Sequence, residues 1–255
     1  MTRVMAAHQP NFLPYLGFFD KLKLTDEMGT EPGTFVIRDD CQYVQRDFHH
    51  RNRIRTNTGE GWMWLYVPVE HKMAPIREIQ ISPDKRVGGK EYWTKYHLRM
   101  IWDNYRRTPF FDRYYQGFAD IYSDPGDSLR EFNMRLIRFI ARCFGIGTEI
   151  ISFYDLGLPT NGSDASETLA DIARAVGADV YLSGDGGKGY LEMAQFGSSI
   201  RVQFQNYQHP VYPQRYSGFR PYMSAIDALF NVGRIPLSGE RLQLSSETAE
   251  TAVAP

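Results

Sequence analysis

Short apolar runs alternate along the chain with stretches in which apolar residues recur every three or four positions, the order of patterns expected of an α/β protein. Residues 3–7 form an apolar run that ends at His8, and residues 12–24 carry apolar side chains at helical spacing. This predicts a strand, a turn holding Pro10 and Pro14, and a helix, with the prolines placed where a missing N–H costs little. Residues 34–37 read as a second strand stopping at Asp39 and Asp40, so the opening of the chain is a right-handed βαβ unit. Residues 62–69 alternate large apolar side chains and predict a strand, with residues 76–81 as its partner in a hairpin-like insertion.

Helical spacing over residues 91–107, 110–122 and 128–144 predicts a helical middle segment, closed by Gly145 and Gly147. A strand over 149–153 follows, then a helix over 164–176 with Asp164 and Glu167 at capping-box spacing, and a strand over 179–182. A last strand over 200–207 and a last helix over 222–231 complete the pattern. The class expected is α/β: a mostly parallel open sheet with flanking helices, Rossmann-like or nucleotidylyltransferase-like, with a helical middle and a small β-hairpin insertion. One domain is expected over residues 1–236 and a mobile polar tail over 237–255.

Composition narrows the function classes. The chain has 255 residues, 42% hydrophobic and 23% charged, which is enough for a sizeable core and unlike a disordered chain. Lys plus Arg (29) balance Asp plus Glu (30), so no global positive field points to duplex nucleic acid. No apolar run approaches the roughly 20 residues that cross a bilayer, and a cytoplasmic location is expected. Two cysteines, Cys41 and Cys143, give neither a disulfide framework nor a CxxC metal spacing. Aromatics reach 14%, dense around residues 92–122, and read first as inter-helix packing and second as a ligand-lining surface.

Candidate chemistry gathers where the first two strands end. His8, Gln9, Asn11 and Tyr15 follow the first strand, the edge at which open α/β sheets bind ligands, although His8 and Gln9 could also simply satisfy the turn. Asp39 or Asp40 at the end of the neighbouring strand would orient His8, or end a solvated acidic turn. His49 and His50 keep a metal site in view, but no metal is assigned. Arg51, Asn52 and Arg53 belong to a basic cluster able to fork around phosphate or carboxylate, with a solvated loop as the plain alternative. Ser183, Gly184, Gly186 and Gly187 form a glycine-rich turn ahead of a helix bearing Tyr190 and Leu191, which is neither a Walker motif nor a GxGxxG fingerprint. His209 and Tyr212 lie in a third polar loop. Cys41, beside Asp40, is not expected to act as a nucleophile.

These residues together carry a resemblance. His8-Gln9-Pro10-Asn11 with Leu16-Gly17-Phe18-Phe19-Asp20-Lys21, then Asp39-Asp40-Cys41-Gln42, Arg51-Asn52-Arg53-Ile54, Tyr181-Leu182-Ser183-Gly184 and His209-Pro210-Val211-Tyr212, resemble the WbqC-like family of bacterial proteins from about Val4 to Gly233. The stretch from Met28 to Thr34 is longer than the family pattern, and His49-His50 departs from it. The resemblance implies a setting in surface-polysaccharide (O-antigen) or specialised-metabolite (natural product) biosynthesis. The leading expectation is a transferase moving an acyl or aminoacyl group onto an amine of a small polar acceptor such as an amino sugar. His8 would be the base, an aspartate its orienting group, and the arginine cluster with the glycine turn the holder of an anionic donor, nucleotide-linked or aminoacyl. One alternative is a nucleotidylyltransferase-like enzyme using a nucleoside triphosphate with magnesium, although Asn11 stands where its HxGH motif needs a second histidine. The other is a non-catalytic scaffold. No cofactor is otherwise expected, small molecules are the expected partners, and the oligomeric state is left open.

Overall fold

The structure, a computed structural model, describes residues 1–70, 73–82, 84–159 and 164–242. Strand β1 (Val4–His8) leads through a tight polar turn into helix α1 (Leu16–Glu27) and then into β2 (Thr34–Ile37). A long excursion follows: hairpin β3 (Arg51–Arg55) and β4 (Trp62–Tyr66), the two-residue strands β5 (Arg86–Val87) and β6 (Glu91–Tyr92), and helices α2 (Trp93–Tyr105), α3 (Phe111–Ser123) and α4 (Leu129–Cys143). The chain then returns as β7 (Glu149–Ser152), α5 (Ala165–Ala175), β8 (Val180–Ser183), β9 (Arg201–Phe204) and α6 (Ile226–Val232).

Five strands form one all-parallel sheet in the order β7-β2-β1-β8-β9. Side chains alternate across it. Val4 and Ala6 join Phe35, Ile37 and Leu182 in the larger core beneath α1, α4 and α6, while Met5 and Ala7 join Val36 and Tyr181 against Leu169, Ala170 and Ala173 of α5. Covering both faces is what lets the strands read as unbroken apolar runs. The aromatics of the middle segment pack: Trp93, Tyr105, Phe118, Tyr122 and Phe132 are fully buried.

Several boundaries differ from the pattern in the sequence. The first helix begins at Leu16 rather than residue 12, because Pro10 and Pro14 hold the intervening residues out of helix and Leu13 takes a left-handed φ of 41°. Residues 51–55 form a strand rather than a loop, and this strand, not residues 76–81, pairs with β4. Pro68 follows the end of β4, leaving the expected pairing as a bridge between Val69 and Ile81 beside a short 3-10 turn at Ile76–Glu78. Asp164 caps α5 through the N–H of Ser166 at 2.7 Å. The glycine-rich turn enters a 3-10 turn (Asp185–Gly189), so Tyr190 and Leu191 stand on no α-helix. The last helix starts at Ile226, not residue 222. Of the expected tail, Ser238, Gly239 and Glu240 are tied by hydrogen bonds to Gln208 and Val211, and residues 243–255 lie outside the described residues.

Candidate functional site

From β1 the chain leaves in one direction to β2 and β7, and the later strands β8 and β9 are laid down on the other side. The carboxyl ends of β1 and β8 therefore flank a topological switch point, where an open α/β sheet leaves a crevice. A cavity of about 630 Å³ sits there, lined by His8, Gln9, Tyr15, Lys21 and Arg38 on one side and by Ser183, Gly184, Gly186, Gly187 and Tyr190 on the other. A second cavity of about 450 Å³ opens towards the β3–β4 hairpin, lined by Asn11, Asp47, Phe48, Asn52 and Arg53. His8, Gln9, Tyr15 and Tyr222 line both, so the two spaces meet at one wall.

The turn after β1 is held from three directions. Asn133 of α4, fully buried, donates to the carbonyls of Pro10 and His49 at 2.7 Å each. Asn52 of β3 donates to Phe12 and Leu13 carbonyls at 3.2 and 2.8 Å, and the Phe12 N–H donates to the Phe48 carbonyl at 2.9 Å. Turn conformation is thus set by groups far away in the chain.

His8 Nδ1 lies 3.0 Å from the Gln9 carbonyl, which can only accept, so Nδ1 carries the hydrogen and Nε2 keeps a lone pair. Burial, with the nearby Lys21 charge, lowers the His8 pKa to about 3, so the imidazole is neutral near neutral pH. Gln9 is fixed in turn. His49 Nδ1 accepts from the Val44 N–H at 3.2 Å, which leaves Nε2–H to donate to Gln9 Oε1 at 2.9 Å.

The expected aspartate partner of His8 is replaced by this backbone carbonyl. Asp39 is 1% exposed and accepts from Arg130 Nε at 2.8 Å and Ser152 Oγ at 2.6 Å, which fastens β2 to β7 and α4 away from both cavities. Asp40 receives two hydrogen bonds from Arg38, 2.8 and 2.7 Å, and so acts on the first cavity by holding that guanidinium. Arg51 lies on the hairpin surface outside both cavities, whereas Arg53 lines the second. His209 accepts from the Tyr222 N–H at 3.2 Å and donates to Tyr207 Oη at 3.2 Å, positioning two wall tyrosines without lining a cavity itself. Tyr212 is buried and donates to Asp227 Oδ2 at 2.9 Å, a core contact rather than a substrate contact. Asn52 faces the second cavity with its amide already committed to the turn, while Asn11 Oδ1 is buried there with no hydrogen-bond partner among the described residues.

Two glycines let the wall close up. A Cβ on Gly17 would come within 2.5 Å of the Tyr15 ring, and one on Gly187 would collide with the Ser183 hydroxyl. Cys41 also lines the first cavity, its thiol pKa pushed up by burial.

The residue that pattern reading missed is Lys21. It is 4% exposed, its Nζ donates to the Ala7 carbonyl at 2.9 Å, and no carboxylate pairs with it among the described residues. Burial lowers its pKa to about 7. The signal was present: a lysine lying between Phe18, Leu22 and Thr25 on the buried side of α1 is costly unless used. With Arg38 it makes the first cavity a place for an anionic group. Among the described residues no cluster of three or more His, Cys, Asp or Glu side chains is arranged to hold a metal, and His49 is engaged with Gln9.

A family model for WbqC-like proteins matches residues 9–237, nearly the whole chain. The chain belongs to the WbqC-like protein family. An uncharacterised protein of Mycobacterium tuberculosis (strain ATCC 25618 / H37Rv) is 33% identical to this WbqC-like chain over 232 residues, covering 90% of this chain and 94% of the relative. No solved structure matches. Among the described residues no helix is long and apolar enough to cross a membrane.

Proposed function

We propose that this protein is a transferase that moves an acyl or aminoacyl group onto the amine of a small polar acceptor such as an amino sugar, in bacterial surface-polysaccharide or specialised-metabolite biosynthesis. The observation that carries the reading is the meeting of two cavities at His8, whose Nε2 lone pair is unprotonated and has no protein partner among the described residues. One space takes the acceptor and the other the donor, and the reacting atoms meet at the wall they share.

In this reading, Lys21 and Arg38 hold an anionic portion of the acceptor, such as a nucleotide-linked phosphate, while Asp40 keeps Arg38 in place. Asn11 and Arg53 face the donor. An anionic acceptor group would neutralise Lys21, one of the charges that hold the His8 pKa down, and His8 Nε2 then takes the amine's proton as its nitrogen bonds to the donor carbonyl carbon; the bond to the leaving group breaks and the leaving group takes that proton back.

The test is a mass-spectrometric transfer assay pairing acyl and aminoacyl donors with nucleotide-linked amino sugars. An acylated amine that falls 10²–10⁴-fold in His8→Ala, with melting temperature retained, supports the reading. Release of pyrophosphate from a nucleoside triphosphate with magnesium, and no acyl transfer, would replace it with the nucleotidylyltransferase alternative. A stable co-purifying partner together with pathway output indifferent to His8→Ala would replace it with the scaffold.

A further inference from the structure

The outer face of the β3–β4 hairpin pairs arginines with large aromatics rung by rung: Arg51 opposite Tyr66, Arg53 opposite Trp64, Arg55 opposite Trp62. The inner face of the same hairpin, carrying Asn52, Ile54 and Leu65, is buried. Outside, the Arg51 guanidinium lies 4.5 Å from the Trp64 ring centre, and that of Arg53 lies 5.3 Å from Trp62 and 5.6 Å from Trp64. Phe48 extends the aromatic surface, 6.0 Å from Trp64, and both Phe48 and Tyr66 are well exposed, at 38% and 45%.

The three arginines are not equivalent. Arg55 is buried and spends its donors on the carbonyls of Thr56, Gly61, Ser217 and Gly218, which closes the neighbouring loop. Arg51 and Arg53 each give one Nη hydrogen bond to a backbone carbonyl, of Arg46 and Tyr222, and neither meets a carboxylate among the described residues. The Nε of each is buried and has no acceptor among the described residues. Two partly exposed cations therefore stand over aromatic faces with no carboxylate paired to them among the described residues.

The strip touches two cavities. On its middle rung Arg53, with Phe48 beside Trp64, lines the cavity that reaches His8. At the Arg51–Tyr66 end, Tyr66 lines a pocket of about 260 Å³ together with Lys85 and Arg86, and the Arg86 guanidinium stacks 4.2 Å from Tyr92. The acid lining the cavity that reaches His8, Asp47, is 3.8 Å from His49 Nε2.

Aromatic faces for bases, interleaved with unpaired guanidinium groups for phosphates, make up the chemistry that binds single-stranded nucleic acid without reading its sequence. We propose that this strip binds single-stranded nucleic acid and leads its end towards the cavity at His8. Duplex is not the ligand, because its bases are stacked on one another and unavailable to Trp64 and Tyr66. Under the transferase reading, a nucleic-acid end carrying an aminoacyl ester is a donor that would arrive along this path; the strip's binding itself does not depend on that reading.

Tryptophan fluorescence tests it directly, since Trp62 and Trp64 lie on the strip. Five-nucleotide RNA and DNA single strands, free AMP and a duplex are titrated separately at low and moderate salt. The expected result is saturable quenching by the RNA strand, the DNA strand or both, weaker with AMP, absent with duplex, and weakening as salt rises. Trp64→Ala and the double variant Arg51→Ala/Arg53→Ala should each weaken strand binding about ten-fold or more, whereas Trp64→Phe, which keeps a stacking face and guards against misfolding, should keep most of it. Absence of quenching by either strand overturns the proposal. So does AMP binding as tightly as the strands, or equal binding by the double variant. Binding is read without any reaction, so a failed transfer assay leaves this result standing.

Discussion

Replacing Lys21 with methionine should make the protein more stable, and the gain should vanish with rising pH. Its amine, in a side chain 4% exposed, has one hydrogen bond and no carboxylate among the described residues, and burial lowers its pKa from 10.5 to about 7. Between those two values the unfolded chain binds more protons than the folded one, so wild-type stability should rise as pH increases from about 7 towards 10.5. At 1.36 kcal/mol for each pH unit of difference, the penalty near pH 7 is about 4 kcal/mol. Methionine has a similar length and no charge, but leaves the Ala7 carbonyl without its donor, a cost of about 1–2 kcal/mol. The net gain near pH 7 is about 2–3 kcal/mol, which for a chain of this size raises the melting temperature by roughly 5–10 °C. Urea unfolding of both proteins at pH 7 and pH 10 measures it. A Lys21→Met protein less stable than wild type at pH 7, or a difference of the same size at both pH values, would refute the reasoning that Lys21 is held at a cost for its place in the cavity.

The same lysine should govern ligand binding in the opposite direction. Because it is charged only below about pH 7, inorganic phosphate or a nucleotide in the first cavity should bind more weakly as pH rises through that value, and Lys21→Arg should flatten the calorimetric pH profile. Asn133→Ala removes both 2.7 Å hydrogen bonds from the turn that carries His8 and should cost about 2–4 kcal/mol in urea unfolding. Gly17→Ala should push the Tyr15 ring out of the wall between the cavities, weakening ligand-induced thermal shifts more than it changes the melting temperature of the free protein. Asp40→Ala should release Arg38 and weaken anion binding several-fold in the same calorimetric assay, with little change in neutral ligands.

Local pattern alone determined a good deal. The β-branched and apolar runs at 34–37 and 149–153, the helical spacing at 128–144 and the apolar run ending at His8 are signals read within a few residues, and each produced its element close to the expected place. The position of His8, Gln9, Ser183 and the glycines at strand ends was likewise legible, because strand ends in open α/β sheets are where binding groups collect.

Tertiary structure decided what each polar side chain is for. Adjacent aspartates at 39 and 40 look alike in sequence, yet the turn after β2 sends one into Arg130 and Ser152 and leaves the other to hold Arg38. Arg51 and Arg53 read as a basic loop until pairing with the aromatics of β4, a match between segments that share no local period, turned them into a strand. Lys21 looked like one lysine on an amphipathic helix, and only the packing of α1 beneath β1 closed water away from its amine. Spacing along a chain reports which face a residue occupies; the field, the desolvation and the hydrogen-bond partner it finds there come from segments that are distant until the sheet assembles.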